Sequence, residues 1–317
     1  MRIDFFGKSD KGQVRRTNED FFSGEKVKER EYLFVVADGM GGHRAGDVAS
    51  RLGTVCFIKY YKKLRKKKNS IINSIDRALM KANLAILEKA TSDPRKRGMG
   101  TTFSAMVISD MKAYIAHVGD SRIYLIREDK IYQLTTDHTF VGKMVEEGRI
   151  TEDEARDHPQ KNILYMSLGA RKTFEPEINK NFDIQEGDTF IMCSDGLNNM
   201  VEDRTIKEYV LSYSTRESVE ELVKLANTNG GTDNITLQVI HVNKNREPEK
   251  TEPIPIVKEK REPFGFIRKF FKKGSATTTA CTAWPFSNVK DVFSNLCFFC
   301  KLFQSISKKW TESMEET

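Results

Sequence analysis

The chain has 317 residues, of which 38% are hydrophobic and 31% charged, a balance that fits a soluble globular class of one large domain or two ordinary ones. Its net charge of +7 is uneven: from Lys244 onward 14 Lys+Arg stand against 9 Asp+Glu, a balance of +5, and residues 1–243 carry only +2. That distribution argues against a nucleic-acid partner, because a phosphate-backbone binder carries its charge on the binding domain.

The N-terminal Met-Arg-Ile-Asp-Phe-Phe-Gly-Lys has no long apolar core, so no signal peptide is expected. No stretch approaches about 18 uncharged apolar residues, so no membrane-spanning helix is expected. Short apolar runs rich in β-forming residues read as buried strands. The first lie near Phe5 and over residues 32–37, where Asp38-Gly39 follows. Two helices are predicted next, over residues 46–64 and 70–91, the first with Val48, Leu52, Val55 and Cys56 at helical spacing. Strands over 102–108, 114–118, 123–126 and 131–134 come as hairpins, which predicts a largely antiparallel sheet. Residues 136–169 hold His138, His158 and a helix start at Thr151, and read as a partly helical, mobile excursion near a cleft. A strand over 189–193 leads into Asp195-Gly196, helices follow over 203–213 and 216–227, and Asp233-Asn234 precedes a last strand over 235–242. Residues 1–243 form the expected catalytic domain, 244–263 a charged, proline-bearing linker, and 264–317 a basic-aromatic tail.

The aspartates carry the chemistry. Asp38, Asp120 and Asp195 stand at strand exits and Asp233 at a strand entrance, so the four would share one sheet edge if the last strand runs antiparallel to the others. Most sit beside a turn-forming residue, the arrangement that presents carboxylates from a rigid scaffold into a cleft. Two like charges about 4 Å apart repel by roughly 4 kcal/mol at an effective dielectric near 20. Such a cluster is therefore protonated in part or neutralised by cations. One such aspartate alone reads as a turn residue, whereas four in matching contexts read as a metal site. No Cys or His pairs stand at these strand ends, and oxygen donors suit Mg²⁺ or Mn²⁺ rather than zinc.

Six segments, in order, carry a resemblance: Val-Arg-Arg-Thr-Asn-Glu-Asp (14–20), Ala-Asp-Gly-Met-Gly-Gly-His (37–43), Met-Gly-Thr-Thr (99–102), His-Val-Gly-Asp-Ser-Arg (117–122), Cys-Ser-Asp-Gly-Leu (193–197) and Gly-Gly-Thr-Asp-Asn-Ile-Thr (230–236). The chain resembles the metal-dependent protein serine/threonine phosphatases of type 2C, especially their bacterial branch, over nearly all of residues 1–242. The resemblance implies an α+β fold, an α-β-β-α sandwich of two antiparallel sheets flanked by helices, with two Mn²⁺ or Mg²⁺ ions at the sheet ends. By the same resemblance Asp38 bridges both ions, and Asp195 and Asp233 complete one site. Asp20 and the Gly39 carbonyl, with Glu19 nearby, form the other side through water, and Asp120 with Asp195 holds a weaker third ion. The implied reaction is hydrolysis of protein phosphoserine and phosphothreonine by a water activated between the two ions. Arg15 resembles the phosphate clamp, its fork suited to two phosphoryl oxygens. His43 is the candidate proton donor to the leaving oxygen, its ordinary pKa suiting that role. It follows Met-Gly-Gly instead of standing directly after Asp-Gly as in eukaryotic relatives, so a positioning role stays open beside it.

Other signals carry less. Gly39-Met-Gly-Gly lacks the ending of a P-loop. His117 and Cys193 read as packed core residues, and Cys297-x-x-Cys300 has no second pair to complete a zinc site. The lysine-rich run at 62–68 reads as a solvated helix end. Five scattered cysteines suggest no disulfide framework and a cytoplasmic setting. In the tail, Phe264, Phe266, Phe270 and Phe271 alternate with Arg268, Lys269, Lys272 and Lys273. That pattern allows peripheral contact with the inner face of a membrane; a tail without that contact is the competing reading. The expected partners are phosphoproteins, a bacterial Ser/Thr protein kinase and its substrates, with the chain acting as a monomer. Two alternatives are a catalytically weak phosphoprotein-binding module and a small-metabolite phosphatase.

Overall fold

Side chains of a strand point to alternate faces, so an unbroken apolar run marks a strand covered on both sides. Strand β3 (Glu31–Ala37) behaves this way: Leu33 and Val35 face one core, Phe34 and Val36 another. The computed structural model describes residues 2–41, 45–151, 154–155, 158–173 and 176–243. The chain separates into two units, residues 1–251 and 252–317, and the described residues lie in the first. The expected linker and tail, with Phe264 to Lys273, fall outside them.

The strands are β1 (Arg2–Asp10), β2 (Phe21–Lys28), β3, β4 (Gly39–Met40), β5 (Gly100–Thr101), β6 (Phe103–Ser109), β7 (Lys112–Val118), β8 (Arg122–Arg127), β9 (Lys130–Gln133), β10 (Glu177–Asp183), β11 (Thr189–Cys193) and β12 (Ile235–Asn243). One sheet has the order β1-β12-β11-β8-β9 and the other β10-β7-β6-β3-β2, with β4 and β5 as a separate pair. Every pairing is antiparallel. The helices are α1 (Gly46–Lys66), α2 (Ile71–Ser92), α3 (Phe140–Glu146), α4 (Asp195–Asn198), α5 (Asp203–Ser212) and α6 (Thr215–Thr228).

Three cores separate four layers. Between the sheets, Phe34, Val36, Met106 and Ile115 meet Ile123, Leu125, Phe190 and Ile240. Phe5 sets its ring edge-on against Phe34, centroids 5.1 Å apart. Outside the second sheet, Leu33, Val35 and Val107 pack on Phe57, Tyr61, Leu79 and Ile86 of α1 and α2. Outside the first, Ile191, Leu237 and Val239 pack on Ile206, Val219 and Leu222 of α5 and α6. This is the α-β-β-α sandwich expected from the sequence. Local chemistry sets the helix starts. The Ser70 hydroxyl accepts from the Asn73 N–H at the head of α2, and Ser214 and Glu217 form a reciprocal capping box at the head of α6.

Besides the two-residue pair β4 and β5, two longer strands were not legible. β2 and β10 are edge strands of the second sheet. Polar residues interrupt both sequences, Phe-Phe-Ser-Gly-Glu-Lys-Val-Lys and Glu-Ile-Asn-Lys-Asn-Phe-Asp, so neither shows an apolar run. The excursion at 136–169 is partly helical, through α3 and a turn in which Thr151 and Glu154 exchange hydrogen bonds. One expectation needs correction: the four aspartates do not share the edge of one sheet. β3 and β7 belong to the second sheet and β11 and β12 to the first, so the acids stand at neighbouring ends of two packed sheets. The antiparallel condition on β12 holds, since it pairs antiparallel with β11. No helix among the described residues is long and apolar enough to cross a membrane.

Phe34 is fully buried between the sheets. Phe34→Ala is expected to cost about 3–5 kcal/mol of unfolding free energy, read from the midpoint of a urea titration. A loss below about 1 kcal/mol would mean that the inter-sheet core does not hold the layers together.

Candidate active site

Each acid reaches the cleft by a short exit from the sandwich. β3 ends at Ala37 and delivers Asp38, whose backbone N–H donates to Thr102 Oγ1 at 2.9 Å. The Asp38 carbonyl accepts from the Thr102 N–H and the Thr101 hydroxyl, each at 2.8 Å. β7 passes through Gly119 to Asp120. Gly119 has φ +111°, and a Cβ there would lie 2.6 Å from Thr102 Cβ, so only glycine fits. The Ser121 hydroxyl, on the far side of Asp120, meets Thr102 Oγ1 at 2.7 Å. Thr102 therefore ties the Asp38 and Asp120 loops to each other.

The first sheet delivers the other pair. Asp195 opens α4 directly after β11, and Asp233 stands two residues before β12. A Cβ on Gly196 would lie 2.0 Å from the Asn234 carbonyl oxygen, so the Asp-Gly step lets the two loops touch. Asn234 also holds the loop between β1 and β2: its Oδ1 accepts from the Glu19 N–H at 2.8 Å, and its Nδ2 donates to the Lys11 and Thr17 carbonyls at 2.9 and 3.0 Å. That loop carries Arg15, Glu19 and Asp20. Asp20 is buried, and its Oδ2 accepts from the Ser194 hydroxyl at 2.7 Å.

The result is a cleft of about 300 Å³ lined by Asp38, Gly39, Asp120, Asp195, Asp233 and Glu19. Arg15, Asn162 and Leu164 line it as well. Burial comes first in raising the pKa values, and the neighbouring acids add to it. Asp20 is pushed up to about 7 against the hydrogen bonds from Thr236 and Ser194, and Asp120 to about 8 with Asp195 and Asp137 adding repulsion. Asp195 rises to about 6, with Asp233 adding to burial and a hydrogen bond to Asp38 opposing it. Asp38 stands well above the ordinary carboxylate value, since Asp20, Asp195, Asp120 and Asp233 all reinforce burial. Glu19 is raised by burial and then by Asp47. One cation offsets the cluster at its rim: Arg15 Nη2 donates to Asp233 Oδ2 at 2.6 Å from a half-exposed position.

Two oxygens show what the cluster lacks. Asp20 Oδ1 and Asp195 Oδ1 are buried without a hydrogen-bond partner. A buried carboxylate oxygen left without a partner is costly. An all-oxygen set with unpaired carboxylate lone pairs fits a hard divalent cation. Asp20, Asp38, Asp120, Asp195, Asp233, Glu19, Gly39 and Arg15 are therefore brought together. His43 lies outside the described residues.

The sequence did not single out Thr102, Ser194 or Asn234, the polar residues that hold the acids in place. A signal was present, since a hydroxyl or amide flanks Asp195 and Asp233. His117 and Cys193 are core residues. His117 is fully buried between the Ser104 hydroxyl and the Thr136 carbonyl, and burial pushes its ring down to about 3. Burial pushes the Cys193 thiol up to about 12.

A family model described as Protein phosphatase 2C matches residues 11–237. A curated relative, the serine/threonine protein phosphatase PstP of Mycobacterium tuberculosis, is 37% identical over 238 residues, covering 75% of this chain and 45% of its own length. The chain thus spans less than half the length of that relative. The protein phosphatase PhpP of Streptococcus pneumoniae is 36% identical over 237 residues, covering 74% of this chain and 96% of its own. Among solved structures, the catalytic domain of PstP in complex with 2 manganese ions superposes with a TM-score of 0.68 at 34% identity, covering 76% of this chain and 99% of that one.

Raised carboxyl values have a consequence for stability. The folded protein holds protons on these acids that the unfolded chain releases near pH 4. Stability from such a group is present below the unfolded pKa and is lost as pH rises through the folded one, about 7 for Asp20. Asp20→Asn is therefore expected to raise the melting temperature of EDTA-treated protein at pH 8.5 by about 3 °C or more, and to change it little at pH 4. Equal effects at both pH values in thermal melts would show that repulsion at the cleft does not limit stability.

Proposed function

The chain belongs to the protein phosphatase 2C family, and on that premise we propose that it hydrolyses phosphoserine and phosphothreonine esters on proteins with a pair of Mn²⁺ or Mg²⁺ ions held in the acidic cleft. The observation that carries this reading is the convergence of Asp20, Asp38, Asp195 and Asp233 from two sheets, with two buried carboxylate oxygens lacking a partner. The names of the relatives and the manganese in one solved structure support it.

In this reading Asp38, Asp195 and Asp233 would hold one ion, Asp38, Asp20 and the Gly39 carbonyl would serve the other with Glu19 nearby, and Asp120 with Asp195 would hold a weaker third. Such ions would offset the charge of the acids and lower the pKa of a water near neutral pH. The protein's own groups do the rest. Arg15 stands at the rim, where its guanidinium can leave Asp233 and bind two phosphoryl oxygens of an incoming ester. His43 is assigned as proton donor to the departing seryl or threonyl oxygen, on the sequence alone. Substrates are proteins phosphorylated by a bacterial Ser/Thr kinase that this enzyme opposes in the cytoplasm.

Turnover of a phosphothreonine peptide with Mn²⁺, abolished by EDTA, is the direct assay. Asp38→Asn is expected to lower kcat by about 100-fold or more while the domain stays folded by circular dichroism. Activity within a few-fold of the unmodified chain would remove Asp38 from its shared position. Asp120→Ala is expected to lower kcat while leaving the two tight Mn²⁺ binding events seen by calorimetry intact. Loss of both tight events would merge Asp120 into the main pair. Faster hydrolysis of sugar phosphates than of phosphopeptides would overturn the protein-substrate assignment.

A further inference from the structure

We propose that His138 is a positioning residue that fixes Asp120 by clamping the peptide of Gly119, from a segment whose continuation forms one wall of the cleft. The clamp has two points. The His138 N–H donates to the Gly119 carbonyl at 2.8 Å, and the Gly119 N–H donates to His138 Nδ1 at 3.1 Å. Thr102 closes the other side of Gly119, against the position a Cβ would take. The residue before His138 braces the far end of the same loop. Asp137 receives Arg122 through its Nε, to Oδ1 at 3.0 Å and Oδ2 at 3.1 Å, and its Nη2, to Oδ2 at 2.7 Å. Asp120 therefore sits in a loop whose flanks, Gly119 and Arg122, are both held by residues 137–138.

The same segment reaches the cleft wall. The Tyr165 N–H donates to the His138 carbonyl at 3.0 Å, and the Tyr165 ring lies 5.5 Å from the His138 ring. The Phe140 N–H donates to the Ile163 carbonyl at 2.8 Å. Leu164, between these anchors, and Asn162, just before them, line the cleft. His138 thus joins the loop of Asp120 to the wall that a substrate passes.

A metal site is the competing use of this histidine, because ligand atoms of His117, His138 and Glu177 come within 4.8 Å of one another. Hydrogen bonding argues against it. His138 Nδ1 accepts from a backbone N–H, so the proton of the neutral ring is on Nε2. His117 Nε2 faces the Thr136 carbonyl at 3.1 Å and carries its proton there, while Nδ1 takes the Ser104 hydroxyl at 2.9 Å. Both rings spend their free lone pair inside the protein and have none to offer a cation.

The assignment rests on Asp120 as an ion ligand, and the test separates the two ideas. The unmodified chain, His138→Leu and His138→Asn are compared; leucine fills the space without an acceptor, and asparagine restores an acceptor near the Nδ1 position. In EDTA, amide exchange of Gly119 is expected to accelerate about tenfold or more in His138→Leu, with the core amide of Val35 unchanged, and to return most of the way in His138→Asn. In Mn²⁺ titrations the weak binding phase is expected to weaken by about 10–100-fold in His138→Leu, with the tight phase preserved. On a phosphothreonine peptide kcat falls while KM holds. Unchanged Gly119 exchange in His138→Leu, or an asparagine variant no better than leucine, overturns the clamp. Faster Gly119 exchange with the weak Mn²⁺ phase and kcat both unaltered overturns the positioning of Asp120. Absence of Mn²⁺-dependent turnover in the unmodified chain would sink the phosphatase reading, while exchange in EDTA would still decide the clamp.

Discussion

Mutual repulsion among buried carboxylates is the constraint on which this molecule turns. Asp20, Asp38, Asp120 and Asp195 are packed where water is scarce, and burial with repulsion from neighbouring acids makes each harder to ionise. Such a cluster relaxes apart unless something rigid holds it. The sandwich is that frame. Its inter-sheet core, centred on Phe34 and Phe190, keeps the two sheets in contact and so keeps Asp38 and Asp120 beside Asp195 and Asp233. Affinity for divalent cations follows from the same forced proximity.

Rigid sheets place the acids only to within a loop, and a polar frame supplies the remaining order. Thr102 joins the Asp38 loop to the Asp120 loop, Ser194 holds Asp20, and Asn234 ties the Glu19 segment to the start of β12. Three glycines permit the approach, since a Cβ at Gly39, Gly119 or Gly196 would collide with a neighbouring loop. These residues act by holding the acids. They determine where the carboxylate oxygens stand before any ion arrives, the preorganisation on which electrostatic catalysis depends. His138 and Asp137 extend the frame to a wall of the cleft.

Arg15 shows how the same electrostatics serve different states. Its contact with Asp233 is half exposed, and an exposed ion pair contributes little to stability. That weakness suits the exchange of a carboxylate partner for a phosphoryl one proposed for Arg15. By contrast the buried Glu31 carboxylate takes Arg65 and the Tyr61 hydroxyl as lasting partners, and its pKa falls in spite of burial. One arrangement is structural and the other available for exchange, and exposure separates them.

Much was legible in the sequence because local patterns reflect local physics. Strands covered on both faces, such as β3 and β11, had to be continuous apolar runs, and the long helices α1 and α2 had to show apolar spacing near 3.6 residues. Acids beside turn residues marked the strand ends. Edge strands β2 and β10 were not legible, since polar residues interrupt each and no apolar run results. Nor could the sequence assign the acids to two sheets, because strand order depends on packing between segments far apart in the chain. Motif order carried the resemblance that implied the layers and the family, and spacing marked the candidate acids at the strand ends. Which oxygens remain without partners, and which hydroxyls, amides and histidine hold the others, was decided only by tertiary structure, because hydrogen bonds such as Ser194 to Asp20 or Glu19 to Asn234 link residues 174 and 215 positions apart.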